Sequence, residues 1–305
     1  MSNGLPRSVL GRTGLEVTRL SYGAMEIRGS RIWGGRPVTE QQAETILNAV
    51  LDNGINFIDT ANDYGRSEQF IGKYIARRRK EFYLATKCGC TVVYRDPDTD
   101  DTPHIYTRDN LFRGLNESLN RLKTDYIDIM QLHNPPVEET EKNHLVDALK
   151  EMVQQGKVRF ISISTTLPEL PVYLKWGVFD TFQIPYSALE RDHEDWINRV
   201  AEMGSGTIIR GGVARGEVGV GLGDEDRWNK FEEARLDELR EPGESRTAFL
   251  LRFSLTHPHA NTIIVGTLFT QHLLENIAAV EHGPLPGNIY EEAKNRLNRV
   301  GVSPA

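Results

Sequence analysis

Eight short runs of apolar and β-branched residues alternate along the chain with longer stretches of helical spacing, an order that few folds accommodate. The runs occupy residues 20–25, 55–59, 82–87, 126–132, 160–163, 181–184, 207–209 and 262–265. Between the first two, Thr39 and Gln42 form a capping box, and Ala43, Ile46, Leu47, Val50 and Leu51 make one apolar stripe before Gly54 stops the helix. Similar spacing predicts helices over 67–78, 108–122, 143–155, 168–176, 192–202, 246–257 and 270–280. A helix after every buried strand predicts an α/β fold in which the strands close into a (β/α)8 TIM barrel, with a doubly wound parallel sheet as the alternative. One barrel domain then spans 1–305. Residues 1–19, with Gly11 and Gly14 between short apolar runs, read as a β-hairpin capping the bottom, and 283–305 as a C-terminal extension with a helix from about Asn288.

Three connections are long: 27–38, 88–107 and 211–240, the last with a polar helix from about Glu225. Each follows a strand, which places it on the C-terminal face of a barrel, where such folds bind substrates. The 305 residues suffice for this domain, and 36 Lys plus Arg against 43 Asp plus Glu leave a net charge of −7. That balance offers no general attraction to nucleic acid or to an anionic membrane. Cys88 and Cys90 are the only cysteines, so a reducing compartment is expected. No uncharged stretch nears the ~20 residues of a membrane span, and 1–10 lack an apolar signal run. A cytoplasmic location follows as the expectation.

Four ionisable residues stand at or just past the C-terminal ends of three successive strands: Asp59 and Tyr64, then Lys87, then His133. A carboxylate and an ammonium at neighbouring strand ends are expected to neutralise each other. A tyrosine beside that ammonium should have its pKa lowered from near 10 and act as a general acid. His133 is placed to hold a substrate oxygen. Together they suit reduction of a carbonyl by an external hydride, and since none of them supplies a hydride, a nicotinamide cofactor is implied.

The segment Gly54-Ile-Asn-Phe-Ile-Asp59-Thr-Ala-Asn-Asp-Tyr64-Gly65, with Ala85-Thr-Lys87 and Gln131-Leu-His133-Asn-Pro, strongly resembles the aldo-keto reductase family of NAD(P)H-dependent (β/α)8 enzymes. The resemblance runs from Leu10-Gly-Arg-Thr-Gly-Leu to Glu275-Asn276. It implies that Asp59, Tyr64, Lys87 and His133 are the catalytic tetrad, in which Tyr64 protonates the carbonyl oxygen, Lys87 and Asp59 tune it, and His133 orients the carbonyl. It also implies that Ser164 and Gln183 hold the nicotinamide carboxamide, with Thr165 where the family usually has Asn. Arg210 falls where an aromatic ring usually lies beneath the nicotinamide, and a guanidinium can also stack. Gly23, Met25, Asp59, Gly211, Val213 and Gly216 complete the expected contacts near the nicotinamide and pyrophosphate. Gly266, Thr267, Leu268 and His272 are expected around the adenosine phosphate, with Glu275 and Asn276 near the adenine. NADP(H) is the family's usual cofactor, but His272 alone is cationic in that loop, so NAD(H) or dual use is the alternative.

Met25, Trp33, Tyr64, Tyr94 and His133 are the expected substrate contacts, joined by Tyr106 and Trp228 as aromatic candidates on the long loops. Cys88-Gly-Cys90 has one intervening residue where Cys-x-x-Cys sites have two, so no metal is expected there. The basic run 77–80 reads as a solvated helix end, the acidic run 96–101 as a solvated loop tip, His257 and His259 as a turn on the bottom face, and the glycines at 216–223 as lid hinges. The expected function is therefore NAD(P)H-dependent reduction of a small aldehyde or ketone. The alternatives are an NAD-dependent alcohol or sugar dehydrogenase on the same site, and a nucleotide-binding regulatory subunit with little turnover. Asp59 and Asp63 as a hydrolase pair would leave Tyr64 and Lys87 unexplained. The residues decide neither the carbonyl compound nor the oligomeric state.

Overall fold

The computed structural model describes residues 4–219 and 221–305, so residues 1–3 of the expected hairpin and residue 220 of the third long loop lie outside it. Strands β1 (Arg7–Val9) and β2 (Glu16–Thr18) pair antiparallel, Arg7 opposite Thr18 and Val9 opposite Glu16. The strands that follow are β3 (Leu20–Gly23), β4 (Phe57–Asp59), β5 (Tyr83–Cys88), β6 (Val93–Tyr94), β7 (Asp100–Asp101), β8 (Ile127–His133), β9 (Val158–Ser164), β10 (Thr181–Pro185), β11 (Gly206–Arg210) and β12 (Thr262–Val265). Eight of them close into a barrel in the order β3-β4-β5-β8-β9-β10-β11-β12. This is the TIM barrel that the βα alternation predicts.

The helices are α1 (Glu40–Asp52), α2 (Ser67–Tyr74), α3 (Arg108–Leu122), α4 (Val137–Lys142), α5 (Leu145–Gln154), α6 (Leu170–Trp176), α7 (Glu194–Glu202), α8 (Glu225–Glu233), α9 (Arg246–Thr256), α10 (Thr270–His282) and α11 (Gly287–Arg299). The Thr39–Gln42 capping box forms, and Ala43, Ile46, Leu47, Val50 and Leu51 are the buried face of α1. Several helices depart from the expected bounds, α6 and α7 by starting two residues late and α10 by ending two residues late, and two departures have a visible cause. Residues 67–78 do not continue as one helix: α2 ends at Tyr74, and a 3₁₀ segment, Ala76–Glu81, follows. There Arg79 turns inward, donating to the Asp128 carboxylate at 2.6 Å and to the Phe82 carbonyl at 2.9 Å. The basic run is thus not wholly a solvated end, because a buried carboxylate claims one of its guanidinium groups. Helix 143–155 begins late, at Leu145, since His144 adopts φ +50° and separates α5 from the unforeseen α4.

Two compact units share the chain. The first comprises Ser21–Phe182 and Gly266–Leu273, and it contains β3 to β9. Its long connection after β5 carries the β6–β7 ribbon, Val93 opposite Asp101, which the sequence shows only as a loop. The acidic tip is partly neutralised: Arg31 Nε donates to Asp100 at 2.8 Å, and the Asp100 amide donates to the Arg31 carbonyl. The loops after β3 and β5 are therefore tied together.

The second unit comprises Met1–Leu20, Gln183–Val265 and Leu274–Ala305. Its hairpin lies on the N-terminal ends of β11 and β12: a Cβ on Gly11, φ +50°, would come within 2.1 Å of the Gly206 nitrogen, and Asn261 donates to the Val9 carbonyl. Only glycine allows this approach. In the same unit buried Arg191 donates to Glu194 at 2.6 Å and to Asn298 at 2.8 Å, which fixes α7 to α11. Trp228 is 4% exposed and packs on Phe231, its indole donating to the Ala214 carbonyl, so it belongs to the core of α8 and not to a substrate pocket. No helix among the described residues is long and apolar enough to cross a membrane.

His257 and His259 form the turn before β12. The His257 ring is 3% exposed and its Nδ1 accepts the His259 amide, so burial, aided by His259, lowers its pKa to about 4. The ordinary value is near 6.5, hence the folded chain binds fewer protons than the unfolded one in between, and stability falls as pH drops from about 6.5 toward 4. Urea unfolding at pH 7 and pH 4.5 should show wild type losing about 2–3 kcal/mol more than His257→Asn. Equal losses in the two proteins would remove His257 from the acid transition.

Candidate active site

The catalytic candidates lie within the first unit and share a wall of the barrel. Asp59 ends β4 in register with Ala85, so Lys87, two residues further along β5, points to the same side. Lys87 Nζ donates to Asp59 Oδ2 at 2.6 Å and to the Thr60 carbonyl at 2.8 Å. Gln131, the β8 neighbour of Lys87, donates to the other Asp59 oxygen at 2.7 Å. Lys87 is 1% exposed, and although burial opposes its charge, Asp59 and the Tyr64 phenol more than compensate and raise its pKa.

A tight turn delivers Tyr64 to this pair. The Tyr64 amide donates to the Ala61 carbonyl at 3.1 Å and the Ser67 amide to the Tyr64 carbonyl at 2.8 Å, so the turn runs directly into α2. Gly65, φ +45°, makes it possible, because a Cβ there would stand 2.4 Å from the Arg28 carbonyl. Lys87 Nζ lies 4.7 Å from the centroid of the Tyr64 ring. The expected lowering of the Tyr64 pKa is not what results. Burial raises it, Lys87 offsets only part, and Asp59 and Asp63 add to the rise. The cation's field is largely spent on Asp59. Tyr64 is thereby kept as a protonated phenol.

His133 ends β8, with its ring centroid 6.2 Å from that of Tyr64. Its Nδ1 lies 2.9 Å from Cys90 Sγ and 3.5 Å from Asp63 Oδ2, which leaves Nε2 for a ligand. Tyr106 is buried beneath it and donates to its carbonyl at 2.8 Å, a supporting and not a pocket role. Trp33 sits edge-on to Tyr64 with centroids 5.8 Å apart, its indole donating to Thr102, and is 48% exposed. Tyr94 is 68% exposed on β6 beside Arg31, away from the Tyr64 ring contacts. Met25 lies in a half-buried 3₁₀ turn, its carbonyl held by Arg28. Asp63, Cys90, His104 and Gln131 are the neighbours that motif reading does not bring to His133 and Asp59. For Gln131 the signal exists, since it shares the inward face of β8 with His133.

The cofactor candidates fall at strand ends. Gly23 ends β3; Ser164 ends β9, 1% exposed, followed by buried Thr165. Gln183 is buried on β10, Arg210 ends β11 half-buried, and Gly211, Val213 and Gly216 continue the chain beyond it. Gly266 is held close to β3: a Cβ there would come within 2.7 Å of the Gly23 carbonyl. Thr267 accepts the Tyr22 hydroxyl on its carbonyl and the Phe269 amide on its side chain. A cavity of about 460 Å³ opens beside this loop, lined by Leu268, Phe269, Thr270, Gln271 and His272 and by Thr39, Gln41, Gln42 and Thr45 of α1 and its cap. Its lining mixes apolar and polar side chains without Lys or Arg, and α10 begins in it, which fits a phosphate-bearing group held by neutral donors and helix amides. Glu275 and Asn276 lie one turn along α10.

The same fold and sequence pattern recur in known proteins. The family model described as Aldo/keto reductase family matches residues 19–295. The uncharacterized oxidoreductase YqkF of Bacillus subtilis (strain 168) is 28% identical over 286 residues, covering 88% of this chain and 89% of that one. The uncharacterized oxidoreductase YrpG of the same organism is 32% identical over 307 residues, covering 89% and 90%. Among solved structures, the holo form of the aldo-keto reductase AKR11C1 from Bacillus halodurans has a TM-score of 0.81 at 27% identity and covers 96% of each chain. A match that runs along nearly the whole barrel, in family model, relatives and structure alike, makes this chain a member of the aldo/keto reductase family and an oxidoreductase.

Proposed function

We propose that the protein reduces small aldehydes or ketones to alcohols, reversibly, with Tyr64 as proton donor. The observation that carries this reading is the Asp59–Lys87 pair at 2.6 Å, buried beneath a tyrosine ring that also faces His133. A bound nicotinamide cofactor supplies the hydride to the carbonyl carbon. His133 offers Nε2 to the carbonyl oxygen, because its Nδ1 is occupied by Cys90 and Asp63. Tyr64 gives its proton to that oxygen as charge develops there, and Lys87, held as a cation by Asp59, stabilises the phenolate left behind. Trp33, edge-on to Tyr64, covers the substrate with an apolar surface.

Ser164, Thr165 and Gln183 are the proposed carboxamide contacts, and Arg210 the proposed stacking or substrate-facing group. The cavity beside Leu268–His272 is the proposed seat of the adenosine phosphate. Its neutral lining favours use of both nucleotides, since no guanidinium or ammonium lines it to discriminate for the extra phosphate of NADPH. With an aromatic aldehyde, steady-state kcat/KM for NADPH and for NADH should differ by less than about tenfold, or ~1.4 kcal/mol. A preference of a hundredfold or more for NADPH would show that a cation reaches the phosphate after all. Failure of either nucleotide to be consumed with any carbonyl, although both bind, would replace this reading by that of a nucleotide-binding regulatory subunit.

A further inference from the structure

We propose that Asp63, Cys90, His104 and His133 form a binding site for a zinc-class divalent cation. One ligand atom from each of the four lies within 4.8 Å of every other. Ligands on a tetrahedral zinc ion stand roughly 3.3–3.8 Å apart, so closure onto a metal needs shifts of about an ångström or less. A carboxylate, a thiolate and two imidazoles are the donor set that zinc prefers, and the two anions balance its charge in a buried place.

The chain builds this convergence from three directions. Asp63 arrives on the turn that delivers Tyr64. Cys90 and His104 face each other across an antiparallel bridge inside the loop after β5. His133 comes from the end of β8, its ring centroid 5.3 Å from that of His104. Asp63 is the observation that points to a ligand: it is fully buried, and neither carboxylate oxygen has a hydrogen-bond partner of ordinary length. A fully buried carboxylate without hydrogen bonds is costly unless a cation joins it.

The surroundings match those of built metal sites. Tyr106 Oη lies 2.8 Å from His104 Nδ1 and donates its single proton to the His133 or Asn134 carbonyl, at 2.8 and 2.9 Å. His104 must therefore donate Nδ1–H to the phenol oxygen, which fixes the tautomer with a lone pair on Nε2. Three of the four residues are buried and His104 is exposed, which gives an ion a route inward. Cys88 takes no part, since its Sγ faces the Gln131 carbonyl at 3.5 Å. On binding, the Cys90 thiol loses its proton to solvent as the sulfur–metal bond forms, and His133 exchanges its Cys90 contact for the ion.

The site is independent of the proposed function, because it uses Nδ1 of His133, on the Cys90 and Asp63 side of the ring, and leaves Nε2 to the carbonyl. Cobalt(II) is the probe, because a thiolate ligand to it produces a charge-transfer band and tetrahedral geometry produces intense visible bands. The full chain should take up one equivalent with both features, and zinc should displace it. The thiolate band should vanish in Cys90→Ser and persist in Cys88→Ser. His104→Ala alters an exposed residue and carries the test if Cys90→Ser fails to fold; its zinc affinity, read by chelator competition, should fall by at least ~10-fold. Absence of the thiolate band in the wild type, or its persistence in Cys90→Ser, overturns the site, as does unchanged zinc affinity in His104→Ala.

Discussion

Tyr64→Phe is expected to lower kcat for carbonyl reduction by about 10²–10⁴ while leaving nucleotide binding within a factor of about two, because general acid catalysis is worth that much and the ring itself remains. The pH profile of the wild type sharpens this expectation. Burial raises the Tyr64 pKa, so the phenol stays protonated through neutral pH and kcat for reduction should hold level to above ~10 before it declines. In the alcohol-oxidising direction the sign reverses, since the phenolate is then the required base, and activity should still be climbing at that pH. Steady-state assays in both directions across pH 6–10.5 check this. A reductive limb that falls below about pH 8 would mean that Lys87 controls the phenol more strongly than burial does.

The second large effect concerns the ion pair beneath Tyr64. Asp59→Ala removes the carboxylate bonded to a lysine that is 1% exposed and leaves that lysine the Thr60 carbonyl as an acceptor. Breaking a buried pair from one side costs about 3–5 kcal/mol, because the other charge remains uncompensated. Urea unfolding at pH 7 should register that loss. Asp59→Ala combined with Lys87→Met removes both charges and should recover much of the stability, but this double variant should not recover kcat, since it lacks the cation that stabilises the phenolate. A single variant as stable as wild type would indicate that Lys87 finds water or another acceptor.

Local signals made much of this legible. The Thr39–Gln42 capping box, the stripe on α1 and the apolar runs that became the eight barrel strands depend on neighbours a few residues away, and such patterns survive in any tertiary setting. The placement of Asp59, Lys87 and His133 follows from the same logic, because a residue at the C-terminal end of a barrel strand has a fixed position relative to the next. What escaped reading depends on distant groups. Helix α2 stops early because Arg79 finds Asp128 on another strand, a competition invisible in 67–78. Trp228 looked like a pocket aromatic until the 211–240 loop folded over it. The Tyr64 pKa could not be signed from sequence, since burial and the Lys87 field oppose each other and only the packing says which is larger. Cys90 was judged with Cys88 by spacing, whereas its partner is His104, brought in by a loop bridge.

The central claim is direct hydride delivery to a carbonyl carbon with protonation by Tyr64. It is tested most directly by supplying reduced nicotinamide nucleotide deuterated at the transferring position, together with an aromatic aldehyde, and weighing the alcohol formed. The account predicts one deuterium on the carbinol carbon, a hydroxyl proton from solvent, and product formation at least ~100-fold slower with Tyr64→Phe. Alcohol without deuterium, or a Tyr64→Phe variant as fast as wild type, would contradict it.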